Sequence, residues 1–131
     1  MAYYLGIDSG STTAKIVILK DTEVICRIVI PTGATSSKSI LKGLDLAYGE
    51  TGLKKEDIAY RVSTGYGRRS IQDVEKQITE ITCHAKGVHW LFPGAQAIID
   101  IGGQDFKVIK LDRNGQILDF RMNDRCAAGT G

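Results

Sequence analysis

Two short stretches carry residues whose types and spacing suit phosphate chemistry. "GIDSGSTTAK" holds Asp8, Gly10, Ser11, Thr12, Thr13 and Lys15, and "DIGGQD" holds Asp100, Gly102, Gly103, Gln104 and Asp105. Each reads as an apolar strand that ends in aspartate and runs into a glycine turn. Backbone N–H groups in such a turn can meet an anion closely, because glycine puts no side chain in the way. An aspartate at the strand end can hold Mg2+ through water. Lys15 would add positive charge beside the phosphates. Two such turns facing each other would grip a nucleotide's phosphates from opposite sides. A single turn of this kind is more often a plain hairpin with a solvated aspartate; its recurrence favours phosphate binding. Gln104 and Asp105 follow the second turn and could orient an attacking water, since phosphoryl transfer depends on positioning and electrostatics. A merely polar turn is the competing reading for that pair. Neither stretch is a Walker loop, and GxGxxG is absent as well.

The elements that must position these residues repeat. Laid over each other, "IDSGSTTAKIVILKDTEVICRIV" and "IDIGGQDFKVIKLDRNGQILDFRM" bring Asp8 onto Asp100, Gly10 onto Gly102 and Lys15 onto Lys107. Both read strand, glycine turn, strand, polar turn, strand, which points to duplication. The polar turns are Asp21-Thr22 and Arg113-Asn114-Gly115, and Asn-Gly between apolar runs is a strong hairpin signal. In the last strand Leu118, Phe120 and Met122 alternate with Asp119 and Arg121.

Between the blocks the period changes to that of helices. Ser36 or Ser37 could cap a helix with the stripe Ile40, Leu41, Leu44 and Tyr48, ended by Gly49 and Gly52. A strand "AYRVST" and a turn "GYGRRS" follow. A second helix is expected from about Ile71 to Leu91, with the stripe Ile71, Val74, Ile78, Ile81, Ala85 and Val88, stopped by Pro93-Gly94. The expectation is an α/β fold: a βββαβα unit over residues 1–94, then the first three strands of a duplicated second unit over 95–131. A helix should come next, and "DRCAAGTG" reads as its start.

Length and composition agree with an ordinary domain. The chain has 131 residues, 43% hydrophobic and 24% charged, with net charge +2. That charge is too small, and the Arg68-Arg69 pair too short, to argue for nucleic acid. No run approaches the ~20 apolar residues of a membrane helix, and the N-terminus lacks a signal peptide's regions. A cytoplasmic protein is expected. Cys26, Cys83 and Cys126 are odd in number and widely spaced, which argues against a disulfide framework. Cys26 reads as core packing. Cys83, His84 and His89 lack the CxxC or HxxxH spacing of a zinc site. Gly65, Gly67 and Arg68 form a turn that could face a nucleotide or a partner, although a surface turn with a solvated arginine is the plainer reading.

"GIDSGSTTAK" and "DIGGQD" resemble the two phosphate motifs of the actin, hexokinase and sugar-kinase superfamily. With "TGYGR", "EITCHA", "IDIGGQDFKVI" and "MNDRCAAGTG", almost the whole chain resembles one branch of it. That branch comprises the ATPase activators of 2-hydroxyacyl-CoA dehydratases and the ATPase subunits of benzoyl-CoA reductases, the BadF/BadG/BcrA/BcrD type. The resemblance implies an actin-like, ribonuclease H-like fold and a homodimer that binds MgATP in an interdomain cleft. It implies coupling of hydrolysis, through a hinge motion, to electron transfer from a 4Fe-4S cluster bridging the dimer. The recipient would be an acyl-CoA dehydratase or reductase component, in anaerobic metabolism. Cys126 matches the first cluster cysteine, and a helix start would favour its thiolate. The family's second cluster cysteine and its adenosine motif lie beyond Gly131. The 131-residue chain alone is therefore expected to hold no stable cluster, to bind nucleotide weakly and to self-associate through exposed apolar faces. Two other readings stay open: a small-molecule kinase of the same superfamily, and a non-catalytic module.

Overall fold

The computed structural model describes residues 1–33, 36–102 and 106–123. The chain forms two compact units, Met1–Ile78 and Thr79–Gly131.

Unit 1 begins with a meander, β1 (Tyr3–Ser9), β2 (Thr13–Lys20) and β3 (Glu23–Pro31). Helix α1 (Ser36–Thr51), β4 (Ile58–Thr64) and the short β5 (Lys76–Gln77) follow. The sheet order is β3-β2-β1-β4-β5. β1 to β3 are antiparallel, whereas β4 lies parallel to β1 and β5 parallel to β4. This is the ribonuclease H-like arrangement expected from the sequence. Strand alternation builds the core: Leu5, Ile7, Ala14, Ile16 and Ile18 are all buried. α1 covers that face with Ile40, Gly43 and Ala47 buried, and with Leu44 and Tyr48 packed beside them. Leu41, expected in the helical stripe, is exposed; it lies about 100° from Ile40, about 120° from Ala47 and about 160° from Gly43, the residues of the buried face. α1 runs through Gly49 and stops at Gly52, whose φ is +73° and whose N–H donates to the Tyr48 carbonyl at 2.9 Å. Its N-cap position lies outside the described residues.

Unit 2 holds α2 (Glu80–Leu91) and the meander β6 (Ala97–Ile101), β7 (Phe106–Leu111) and β8 (Ile117–Met122), in sheet order β6-β7-β8. Its core is Ala85 of α2 against Ile98, Ile109 and Leu111, with Ile81, Val88 and Ile117 at the margin. The β7–β8 turn is tied by Asp112, whose Oδ1 accepts from the Asn114 and Gln116 amides at 2.8 and 2.9 Å. Leu118, Phe120 and Met122 are exposed.

The second helix is shorter than its spacing suggested. Residues 71–79 are not α-helical. The Glu75 amide donates to the Arg61 carbonyl at 3.0 Å and the Ile78 amide to the Ser63 carbonyl at 2.9 Å, which zips this stretch along β4. The Arg61 guanidinium holds Glu75 at 2.8 Å. Ile71 and Val74 thus pack on the unit 1 core, while Ile81, Ala85 and Val88 serve the core of unit 2. One apparent stripe is two short ones that happen to be in phase. By packing, α2 goes with unit 2, so the compact-unit boundary lies at 78/79, whereas the repeat reading divided the chain at 94/95.

Cys26 is buried in the unit 1 core, and its thiol donates to Glu50 Oε2 at 2.8 Å. Burial, then the hydrogen bond and charge of Glu50, push its pKa from 9.0 up to about 11. The native state thus disfavours the thiolate. The associated stabilisation is present in full below pH 9.0 and is lost as the pH rises through about 11. At ~1.4 kcal/mol per pH unit this amounts to about 2–3 kcal/mol. Urea unfolding across that window should show the loss in the parent chain and not in Cys26→Ala. Parallel curves for the two would contradict the assignment.

Candidate functional site

The first glycine turn sits at the β1–β2 corner. Asp8 is the penultimate residue of β1 and lies directly opposite Lys15 of β2 in the antiparallel register. Lys15 Nζ is 3.4 Å from Asp8 Oδ2, and the two side chains are 44% and 38% exposed. The pair is therefore open to solvent and to ligand. The Gly10 amide donates within the turn, to the Thr13 carbonyl at 3.0 Å, and the Gly10 carbonyl accepts from Thr32 Oγ1 at 2.9 Å. Gly10 thus shapes the turn and does not itself offer an amide to an anion. Its backbone runs so close to Thr13 that a Cβ would fall 2.6 Å from the Thr13 carbonyl oxygen. Ser11 and Thr12 are exposed at the tip, and among the described residues their amides donate no hydrogen bond. These amides and the two hydroxyls are the donors left for a phosphate. Thr13 begins β2 opposite Pro31.

Sequence reasoning missed what stands behind Asp8. After β4 the chain enters a turn of residues 65–67 and a 3-10 turn, Arg68–Ser70, that pack on the end of β1. The Gly67 amide donates to the Ser9 carbonyl at 3.0 Å. Gly65 has φ +93°, and a Cβ there would fall 2.5 Å from both Asp8 Oδ1 and the Ser9 carbonyl oxygen. Arg68 is not merely solvated: its Nη1 donates to the Gly65 carbonyl at 3.0 Å, and its own carbonyl accepts from Ser63 Oγ at 3.2 Å. Thr64 Oγ1, in register with Asp8 on the parallel strand, and Ser9 Oγ, on the core face of β1 opposite Asp8, are buried with no hydrogen-bond partner among the described residues. Buried hydroxyls normally find a partner. Among the described residues no three His, Cys, Asp or Glu side chains converge on a metal site. A cation at Asp8 would accordingly be held mainly through water and phosphate. The spacing of Gly65 and Gly67 was the available signal; only the β1–β4 pairing shows that it abuts Asp8.

The strands flanking the second glycine motif repeat the register of the first. Asp100 of β6 lies opposite Lys107 of β7, as Asp8 lies opposite Lys15. Lys107 Nζ is 3.8 Å from Asp100 Oδ2 and 3.9 Å from Glu80 Oε2, and its side chain is only 9% exposed. His84 Nδ1 is 3.5 Å from the same Asp100 oxygen. Gly102 is exposed just after β6. Gly103, Gln104, Asp105 and Cys126 lie outside the described residues. Among the described residues no helix is long and apolar enough to cross a membrane.

Comparison with known proteins bears on the fold and the family. The profile of the BadF/BadG/BcrA/BcrD ATPase family matches residues 5–131. The chain is 55% identical over 129 residues to the activator of lactoyl-CoA dehydratase of Anaerotignum propionicum, which covers 98% of this chain and 50% of that protein. The solved activator of the 2-hydroxyisocaproyl-CoA dehydratase from Clostridium difficile, with bound ADPNP, superposes with a TM-score of 0.89 at 50% identity, over 98% of this chain and 48% of that one. Component A of the Acidaminococcus fermentans (R)-2-hydroxyglutaryl-CoA dehydratase superposes with a TM-score of 0.92 at 42% identity, over 99% and 50%. The chain spans about half the length of these relatives. Motifs, fold and identity converge: the chain belongs to the BadF/BadG/BcrA/BcrD ATPase family.

Proposed function

We propose that the chain supplies the phosphate-binding part of an ATP-binding, ATP-hydrolysing activator. The observation that carries this reading is the twofold occurrence of one arrangement, an aspartate at a strand end, a glycine turn and a lysine directly opposite, at Asp8–Lys15 and Asp100–Lys107. Cross-strand opposition in one hairpin is unremarkable. Its recurrence in both meanders, in a family of ATPases, is what a phosphate-binding role accounts for. In this reading Ser11 and Thr12 donate to phosphate oxygens and Lys15 turns from Asp8 towards them. Asp8 holds Mg2+ through water. Gln104 and Asp105 are assigned to orienting the attacking water, and Gly102 and Gly103 to letting the backbone approach the phosphates.

The partner proposed is an acyl-CoA dehydratase or reductase component, because the relatives are named as activators of such dehydratases and a benzoyl-CoA reductase subunit. Cys126 is assigned, on its "CAAGTG" motif alone, as a thiolate ligand of a 4Fe-4S cluster shared by two copies of the full-length protein in the cytoplasm. When bound, such a cluster supplies a low-potential electron to the partner. The test is anaerobic purification of the full-length protein containing this chain, followed by iron and sulfide analysis and an ATPase assay. Iron and sulfide near four per dimer, with ATP hydrolysis, are expected. An iron-free protein that phosphorylates a metabolite would replace this reading with a kinase.

A further inference from the structure

The Cys83-His84 pair of α2 has no part in the phosphate chemistry as the motifs define it, yet the fold brings α2 to that chemistry. Ala85 is buried against Ile98 and Ile109, and this fixes the rotation of the helix. Glu80 and His84, one turn apart, then meet the Asp100–Lys107 pair. The result is an alternating chain: Glu80 Oε2 is 3.9 Å from Lys107 Nζ, which is 3.8 Å from Asp100 Oδ2, which is 3.5 Å from His84 Nδ1. The corresponding pair in unit 1 differs. Among the described residues Lys15 contacts Asp8 alone, and it is 44% exposed where Lys107 is 9%.

A lysine withdrawn from solvent between two carboxylates is costly to move, because leaving would strand a buried charge. Lys107 is thus committed to Asp100, whereas Lys15 is placed to exchange Asp8 for a phosphate. Among the described residues both contacts to Asp100 use Oδ2, which leaves Oδ1 for a water. We propose that α2, through His84 and Glu80, clamps Asp100 in the orientation that hydrolysis needs. His84 and Glu80 are positioning residues, and their assignment rests on Asp100 belonging to the MgATP site.

The test uses the full-length protein containing this chain. His84→Leu keeps bulk without a donor; His84→Asn places an amide N–H near the Nδ1 position. A misplacement on the order of 1 Å can cost up to a hundredfold in rate, so His84→Leu should lower kcat about tenfold with KM for ATP within about twofold, and His84→Asn should restore kcat to within about threefold of the parent. Asp100→Asn in the same assay separates the two readings. If Asp100→Asn lowers kcat and His84→Leu does not, the clamp alone falls. If Asp100→Asn leaves kcat unchanged, the phosphate-site reading falls and the clamp with it. A loss in His84→Leu that His84→Asn fails to rescue, matched by equal drops in melting temperature for both, assigns His84 to packing and also overturns the clamp.

Discussion

Asp8→Asn in the full-length protein should reduce ATP hydrolysis by at least about a hundredfold while leaving the fold intact, by the scale at which phosphoryl-transfer enzymes lose rate when charge stabilisation is removed. The substitution preserves shape and removes one negative charge. Without that charge a hydrated Mg2+ loses its protein anchor. Lys15, 3.4 Å away, loses its partner and stays at the turn without a carboxylate to release it on ligand binding. Stability should change little, because the lost ion pair is exposed and such pairs contribute about 0–1 kcal/mol. Initial rates at saturating MgATP and a thermal melt check the two halves separately. A variant with native turnover would remove Asp8 from the site.

The second large effect is on folding. Gly65→Ala must place a Cβ 2.5 Å from the Ser9 carbonyl oxygen and from Asp8 Oδ1, on a backbone at φ +93°. Left-handed backbone costs an L-residue about 1–2 kcal/mol, and overpacking adds roughly 1–3 kcal/mol. The expected loss is therefore about 2–4 kcal/mol, or at ~4–8 °C per kcal/mol for a unit of this size a drop of roughly 8–30 °C. Gly67→Ala is the control. Its φ is −90°, ordinary for alanine, and its Cβ would meet the Ser9 hydroxyl, which can rotate away, and Ser9 Cβ at 3.1 Å, which must give slightly. It should cost about 1 kcal/mol, the usual size of a core adjustment. Equal melting temperatures for the two variants would mean that the turn does not pack on β1 as described.

The sequence by itself determined the parts that are local. Both meanders were legible, because two-period alternation and glycine or Asn-Gly turns are short-range signals. The repeat aligned Asp8 with Asp100 and Lys15 with Lys107, but that each aspartate faces its lysine across the hairpin came only from the strand register. The face of α1 was readable to within one residue, Leu41. The motifs "DIGGQD" and "CAAGTG" pointed to the family that comparison with known proteins identifies.

Tertiary structure decided what depends on partners distant in the chain. Ile71 and Val74 have helical spacing, but β4 offered their segment backbone partners at Arg61 and Ser63, and pairing outweighed periodicity. The turn at Gly65 became the wall behind Asp8 only because β4 lies parallel to β1, a pairing between strands about fifty residues apart. His84 reached Asp100 because Ala85 sets the rotation of α2 on its sheet. Local pattern fixes which way a side chain points from its own element; only packing of one element on another fixes what it meets there.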